Sequence, residues 1–305
     1  MKVGIIGGGS IGLLVAGRLG KKHDVTLFTR TENQANQINR AGGIEIKGIH
    51  PVYTACTAEV LMHSKVLAAQ ELLIVTVKQG AIDEILPYIQ DVKVPLLFLQ
   101  NGMSHLKKLD CLHSETVYVG ITEHGALRDN ETTTIHTGIG AVRIGLYRGK
   151  RREGLFDQEI PEFPIEEVRD IYPRLIEKLI ANACINPLTA VLGVKNGELI
   201  TNPYFRQLLS DLCEEVCRGL GIEERRHHEF LEKIVLICER TADNKSSMLR
   251  DIEMQRKTEI ESILGFCFEE ANGRNQKMIL ASALYTMIRG LEESGECEWK
   301  TYLQA

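Results

Sequence analysis

The sequence has no uninterrupted apolar run of about 18 residues, the length a membrane-spanning helix needs. Met1-Lys2-Val3 leads straight into a strand-like run, leaving no room for a signal peptide. Both absences place the chain in the cytosol. Basic charge is not in excess either: 36 Lys and Arg against 41 Asp and Glu give a formal net charge of -5. A nucleic-acid surface would show a basic patch or stripe, so the expected partner is a small molecule. No Cys-x-x-Cys pair occurs among Cys56, Cys111, Cys184, Cys213, Cys217, Cys238, Cys267 and Cys297, most of which sit inside apolar patterns. They read as reduced core residues. Cys213 and Cys217 stand one helical turn apart, but no histidine lies at ligand spacing near them or Cys238, and no metal is expected. Internal repeats and low-complexity tracts are also missing. What remains is 305 residues, 44% of them apolar, enough for two domains with separate cores.

The first of these begins with Lys2-Val3-Gly4-Ile5-Ile6, a short β run that ends in Gly7-Gly8-Gly9-Ser10-Ile11-Gly12 and passes into a helix patterned by Leu13, Leu14, Ala16 and Leu19. Strand, G-x-G-x-x-G and helix in that order form a dinucleotide-binding fingerprint. Gly7 makes the tight turn, Gly9 lets the backbone approach a pyrophosphate, Gly12 lets helix and strand pack closely, and the phosphates meet the helix N-terminus. A second strand over residues 24–28 ends at Thr29-Arg30-Thr31, with no acid where an NAD-binding fold offers one to the ribose hydroxyls. Arg30 suits a 2′-phosphate instead. The expected cofactor is therefore NADPH/NADP+, with Glu32 nearby as the residue that argues the other way.

Short strands follow at residues 44–47 and 52–56. Parallel strands at 72–77 and 95–99 then deliver Lys78 and Gln100-Asn101-Gly102 at their carboxyl ends, and a strand at 117–121 precedes Thr122-Glu123-His124-Gly125-Ala126. Ligands of doubly wound sheets bind at those ends. This makes Lys78 and Asn101 candidates, while a lone loop histidine such as His124 is more often structural. Alternation over residues 132–137 and 141–145, with Gly138-Ile139-Gly140 between, reads as an antiparallel hairpin closing the sheet. Residues 149–167 turn charged and Gly/Pro-containing, as an interdomain connection does.

From residue 168 onward the pattern is helical throughout, with helices expected at 166–191, 204–219, 227–241, 247–256, 259–271 and 276–292. The expected architecture is thus an α/β Rossmann-type dinucleotide-binding domain over residues 1–167 and an all-α domain over 168–305. Within the first long helix, Lys178, Asn182 and Asn186 recur every fourth residue in an otherwise apolar segment. On an α-helix they form one line along one face. A solvated face mixes Glu, Lys, Gln and Arg; one cation with two carboxamides suits a polar cavity, as a general acid with two substrate-holding amides. The competing reading is a buried lysine with two asparagines satisfying one another.

The ordered set Gly7 to Gly12, Lys78, Gln100-Asn101-Gly102, Lys178 with Asn182 and Asn186, Asn196-Gly197-Glu198-Leu199, and Asn244-Lys245-Ser246-Ser247-Met248-Leu249 through Thr258-Glu259-Ile260 resembles the ketopantoate reductase family along essentially the whole chain. The resemblance implies NADPH-dependent reduction of 2-dehydropantoate to (R)-pantoate, on the route to pantothenate and coenzyme A. It implies a second domain like the C-terminal domain of 6-phosphogluconate dehydrogenase. Gly7, Gly8, Gly9, Ser10, Ile11, Gly12, Arg30, Lys78, Asn101, Ala126 and Glu259 would bind the cofactor. Lys178 would be the proton donor, with Glu259 assisting. Asn101, Asn182, Asn186, Asn196, Asn244 and Ser247 would hold the substrate. From the residues alone, Ser247 reads as a helix N-cap and Glu259 as a solvated first-turn acid. The loop Gly273-Arg274-Asn275-Gln276 lacks prolines associated with the family. The alternatives are a reductase of another 2-keto acid and a non-catalytic NADP sensor, which would have no need of Lys178. A homodimer is compatible with the apolar helix faces, which serve a core or an interface equally well.

Overall fold

The computed structural model describes residues 1–156 and 159–294, so Cys297 lies outside the described residues. The chain divides into two compact units. Unit 1 comprises Met1–Gln100 and His105–Leu175, and unit 2 comprises Asn101–Ser104 and Ile176–Ala305.

Unit 1 is built on an eight-stranded sheet. Its centre is four strands rich in apolar residues, β1 (Lys2–Ile6), β6 (Leu72–Val75), β7 (Leu96–Phe98) and β8 (Thr116–Thr122), flanked by β2 (Asp24–Thr29) and β5 (Thr57–Val60) on one side. These strands run parallel. Buried on both faces, they read as nearly continuous hydrophobic runs. On the other side, β11 (Val142–Gly149) pairs antiparallel with β8 and parallel with β12 (Ile165–Glu167). A second sheet has the order β4 (Val52–Ala55), β3 (Gly43–Gly48), β10 (Thr133–Gly138) and β9 (Gly125–Arg128). The helix α1 (Ser10–Leu19) packs on strands of both sheets, and every residue from Gly12 to Leu19 is buried. A helix covered all round needs a mostly apolar, partly small surface: Gly17, for instance, lies where a Cβ would come within 2.7 Å of Ile46. The helix α2 (Glu32–Ala41) is capped by Thr31, whose hydroxyl accepts from the Gln34 amide.

Two expectations are corrected. Residues 132–137 and 141–145 do not form a hairpin, because β10 pairs with β3 and β9 in the second sheet while β11 pairs with β8 in the first. The Gly138-Ile139-Gly140 link carries the chain between sheets, and Gly140 packs so tightly that a Cβ would lie 2.6 Å from the Glu123 carbonyl oxygen. Nor is the described part of 149–167 a linker. Leu155, Ile160 and Phe163 are buried in the core of unit 1, and β12 occupies Ile165–Glu167, where the helical pattern was expected to begin.

Unit 2 is helical. It contains α4 (Tyr172–Leu192, begun in unit 1), α5 (Glu198–Thr201), α6 (Pro203–Gly219), α7 (His227–Arg240), α8 (Ser247–Glu253), one π-helical turn (Glu261–Gly265), α9 (Phe266–Gly273) and α10 (Ile279–Ser294). With α3 (Ile82–Ile89) in unit 1 the α-helices of the described residues are complete, and five short 3-10 helices join them. At the centre of unit 2, α6 packs against α5, α7, α9 and α10, burying Leu209, Leu212, Cys213, Val216 and Cys217 at helical spacing. Asn202 caps its start, accepting from the amides of Tyr204 and Phe205. Glu215 accepts from the amides of Leu280 and Ala281 at 3.1 and 2.8 Å, placing a carboxylate at the N-terminus of α10. By length and composition α4 would pass as a membrane span, with mean hydropathy 1.3, but 67% of that window is buried, as in a core helix. The loop before α10 turns at Asn275, whose φ of 60° lies in the left-handed region that asparagine tolerates. Burial in apolar surroundings pushes the thiols of Cys56, Cys238 and Cys267 up to about 12, so they stay protonated.

Candidate active site

The glycine loop of unit 1 is shaped by three different constraints. Gly7 has φ +113°, and a Cβ there would meet Val77 within 2.9 Å. At Gly12 a Cβ would stand 1.8 Å from the Gly7 carbonyl oxygen, so only glycine lets α1 begin against β1. Around Gly9 a Cβ would meet nothing within 4 Å. That residue is exposed, caps α1 without a side-chain hydrogen bond, and the first turn carries no acid. Open space, uncapped backbone N–H groups and a helix dipole with no opposing carboxylate fit a pyrophosphate. The loop is braced from outside. The buried Gln34 side chain donates to the Gly8 carbonyl at 2.8 Å and to Glu131 at 3.0 Å, Thr76 Oγ1 donates to Gly7 at 3.0 Å, and Thr134 Oγ1 donates to Ser10 at 3.2 Å. Ile11 is half-buried beside them. None of the three bracing residues was among the expected site residues, because each comes from a distant segment.

Arg30 follows β2 directly and is exposed, as a group awaiting a soluble anion would be. Lys78 is exposed just beyond β6. Gln100 fixes that strand end by donating to the carbonyls of Val75 and Val77 at 2.9 and 3.2 Å. Ala126 is half-buried on β9, opposite His136. His124 is a structural group. Arg18, wholly buried, donates to the Ile49 carbonyl at 2.8 Å and to His136 Nδ1 at 3.0 Å. A guanidinium can only donate, so His136 carries its proton on Nε2 and donates it to His124 Nδ1 at 3.1 Å. The same Nδ1 accepts the Gly140 amide at 3.3 Å, and the His124 ring stacks on Phe163 at 4.5 Å. Burial, with the nearby His136 and Arg18, lowers His124 to about 4. Both imidazoles are neutral and committed to packing.

In unit 2 the polar line on α4 runs from half-buried Lys178 and Asn182 to Asn186, which is 6% exposed, while Leu179, Ile180, Ala183 and Cys184 between them are buried. Pro187 inside α4 has no N–H, so the Ala183 carbonyl has no helical donor. One turn beyond Asn186, Thr189 Oγ1 is hydrogen-bonded to Ser246 Oγ at 2.7 Å. Ser246, not Ser247, caps α8, accepting from the Leu249 amide. The expected cap is therefore off by one residue; Ser247 is the first residue of α8 and is exposed. Asn196 and Asn244 are joined through their backbones, the Asn196 amide donating to the Asn244 carbonyl at 3.0 Å. The Asn196 side chain donates from Nδ2 to Thr241 Oγ1 at 2.8 Å, and that hydroxyl donates onward to Ile237. This order fixes which amide atom is oxygen. Asn196 Oδ1 is left as a buried acceptor with no hydrogen-bond partner, one of six such side-chain atoms among the described residues, and can accept from a ligand.

Asn101 and Glu259, which are 158 residues apart, meet within unit 2, where Asn101 Nδ2 donates to Glu259 Oε2 at 3.0 Å. The approach depends on Gly102, with φ +78° and a Cβ position only 2.3 Å from the Ser262 carbonyl oxygen. Asn244, by contrast, is exposed, and its backbone bonds to the backbones of Asn196 and Thr241.

An α/β unit with an open glycine loop, joined to a helical unit that carries a lysine, several carboxamides and a carboxylate, defines a dinucleotide-dependent oxidoreductase of small polar substrates. Residues 3–149 match the family model "Ketopantoate reductase PanE/ApbA", and residues 170–292 match "Ketopantoate reductase PanE/ApbA C terminal". The chain belongs to the ketopantoate reductase family. It is 40% identical over 299 residues to the 2-dehydropantoate 2-reductase of Bacillus subtilis, covering 96% of this chain and 98% of that one. It is 38% identical over 302 residues to the enzyme of the same name from Listeria monocytogenes, covering 96% and 97%. A crystal structure of a Bacillus subtilis relative, 39% identical, superposes with TM-score 0.84 over 95% of this chain and 100% of that one. D-mandelate dehydrogenase bound to NADH and anilino(oxo)acetate shares the fold, with TM-score 0.85 over 97% and 100% of the two chains at 21% identity. The protein is a nicotinamide-dinucleotide-dependent reductase of a small keto acid.

Proposed function

We propose that the chain reduces 2-dehydropantoate to (R)-pantoate with NADPH, with Lys178 as proton donor. The observation that carries this reading is the line of Lys178, Asn182 and Asn186 on α4, together with the buried unpartnered Oδ1 of Asn196. An acceptor with no protein donor suits a hydroxyl-bearing substrate. The carboxamide N–H groups suit its carboxylate.

Gly7, Gly8, Gly9, Ser10, Ile11 and Gly12 would hold the pyrophosphate, and Lys78, Asn101, Ala126 and Glu259 would complete the cofactor's contacts. Arg30 would hold the 2′-phosphate, with the exposed Glu32 two residues on, in the first turn of α2. When bound, the reduced nicotinamide supplies the hydride that adds to C2. Lys178 Nζ gives the proton that the developing alkoxide takes up, and solvent returns one to the amine; general acid catalysis of this kind contributes about 100- to 10,000-fold. Asn182, Asn186, Asn196, Asn244 and Ser247 would bind the substrate's carboxylate and hydroxyl. Glu259, paired with Asn101, would hold the substrate or the lysine.

The test is consumption of NADPH and of NADH with 2-dehydropantoate beside a panel of other 2-keto acids. Fast turnover selective for NADPH and 2-dehydropantoate is expected. Preferred turnover of a different keto acid would refute the substrate, and preference for NADH would refute the role of Arg30.

A further inference from the structure

Resting on the reading of Glu259 given above, we infer that Glu292, near the end of α10, is the positioning residue that sets Glu259. Its side chain is 7% exposed, although it is a carboxylate. Burying such a charge is costly unless it is fully paired. Here one oxygen, Oε1, accepts from both the Thr258 amide and the Thr258 hydroxyl, each at 2.7 Å, and Oε2 accepts from Arg289 at 2.8 Å. The Thr258 hydroxyl in turn accepts the Ile260 amide at 3.2 Å. On the far side, the Glu259 carbonyl accepts from Ser262 Oγ at 2.8 Å and from the Ile263 amide at 3.1 Å. The residue before Glu259, its own carbonyl and the amide after it are therefore all held, and its carboxylate is delivered to Asn101 Nδ2.

The same helix holds the turn at a second point, where Tyr285 donates to Glu261 Oε2 at 2.5 Å. That residue is exposed, and its contact lies past the position that matters. Among the described residues, Glu292 is the side chain from outside this segment that holds Thr258, the residue just before Glu259. It lies 34 residues from Thr258 in sequence, and it touches neither substrate nor cofactor in this scheme. Its effect on the reaction passes through Glu259.

The experiment is a cycle of Glu292→Ala and Glu259→Gln, measured as kcat and KM for the keto acid, Kd for NADPH, and Tm. Small displacements of a reacting group cost up to about 100-fold, so Glu292→Ala is expected to lower kcat about 10-fold or more, with any loss of NADPH affinity no larger than that of Glu259→Gln. Glu292→Gln keeps a carbonyl acceptor for Thr258 and should restore most of kcat. In the Glu259→Gln background, Glu292→Ala should add no further loss of kcat, as for two groups acting in series. An equal loss of kcat in both backgrounds, or none in either, would overturn the inference. Full activity of Glu259→Gln by itself would instead reject the role given to Glu259. If Glu292→Ala does not fold, Thr258→Val removes the hydroxyl from the other end of the same bond and enters the same cycle with the same criteria.

Discussion

In the proposed reading, the glycine loop of unit 1 and the polar groups of unit 2 solve the problem of holding a ligand in opposite ways. The loop works with backbone: Gly7, Gly9 and Gly12 contribute shape and amides, and their spacing within a single turn is all that the geometry needs. In unit 2 the work falls to side chains, and each is held by another side chain brought from far along the chain, Glu259 by Asn101, Asn196 by Thr241, Ser246 by Thr189. A backbone site is local and fails by steric collision. A side-chain site is assembled by the fold and fails by misplacement, often with the fold intact.

The sharpest test of that contrast is Lys178→Ala. It should lower kcat by about 100- to 10,000-fold, as expected for loss of a general acid, while NADPH titration and Tm stay near wild type. Retained turnover would remove the lysine from the chemistry. Next in size is the pair Gly12→Ala and Gly9→Ala. The first forces a methyl group against a backbone oxygen 1.8 Å away; overpacking costs about 1–3 kcal/mol, so both Tm and NADPH affinity should fall. The second meets no protein atom within 4 Å and should leave Tm unchanged while weakening NADPH. Equal loss of Tm in both would mean that Gly9 serves packing, not a ligand. Arg30→Ala should lower the preference for NADPH over NADH by about 10- to 100-fold, the worth of a charge-assisted hydrogen bond of roughly 1.5–3 kcal/mol. An unchanged preference would assign the phosphate to another residue.

The last test concerns pH and the stability of unit 1. His105 and His124 in unit 1 are each lowered by burial from the ordinary 6.5 to about 4. Their folded values lie below their unfolded ones, so the unfolded chain takes up protons that the folded chain refuses. Stability is therefore complete above about 6.5 and declines as pH falls from there toward about 4. Hydrogen exchange across that range should show amides of β8 and β10 losing protection, and His124→Asn should blunt the change. Protection that is flat with pH in the wild type would contradict the buried neutral pair.

The sequence revealed what is local. G-x-G-x-x-G is six consecutive residues, and the Lys178, Asn182, Asn186 line needs only helical spacing, so both were legible before any coordinates. The parallel strands were legible as apolar runs because they are buried on both faces. The assignment of β10 and β11 to different sheets was not, since alternation tells which face a residue takes and says nothing about its partner strand. The cap on α8 moved from Ser247 to Ser246 because two adjacent serines fit the same pattern and the bond to Thr189 decides between them. Gln34 and Glu292 were invisible for a related reason. Each acts on a partner outside its own element, and as single residues they are ordinary members of helix-forming segments or loops.

The π-helical turn at Glu261–Gly265 has a consequence best put in terms of insertions and deletions. A π turn is one residue wider than an α turn, so the helix ahead of Phe266 carries one residue more than an unbroken α-helix would. Deleting one residue of the turn would let the helix close as α while the segments on either side keep nearly their present orientation, because five residues of π turn and four of α sweep nearly the same angle. Glu259 stands just N-terminal to the turn. The turn is thus where a one-residue change of length would disturb the aim of the carboxylate least, and single-residue gaps among active members of this family should fall within these five residues before they fall in the flanking helix.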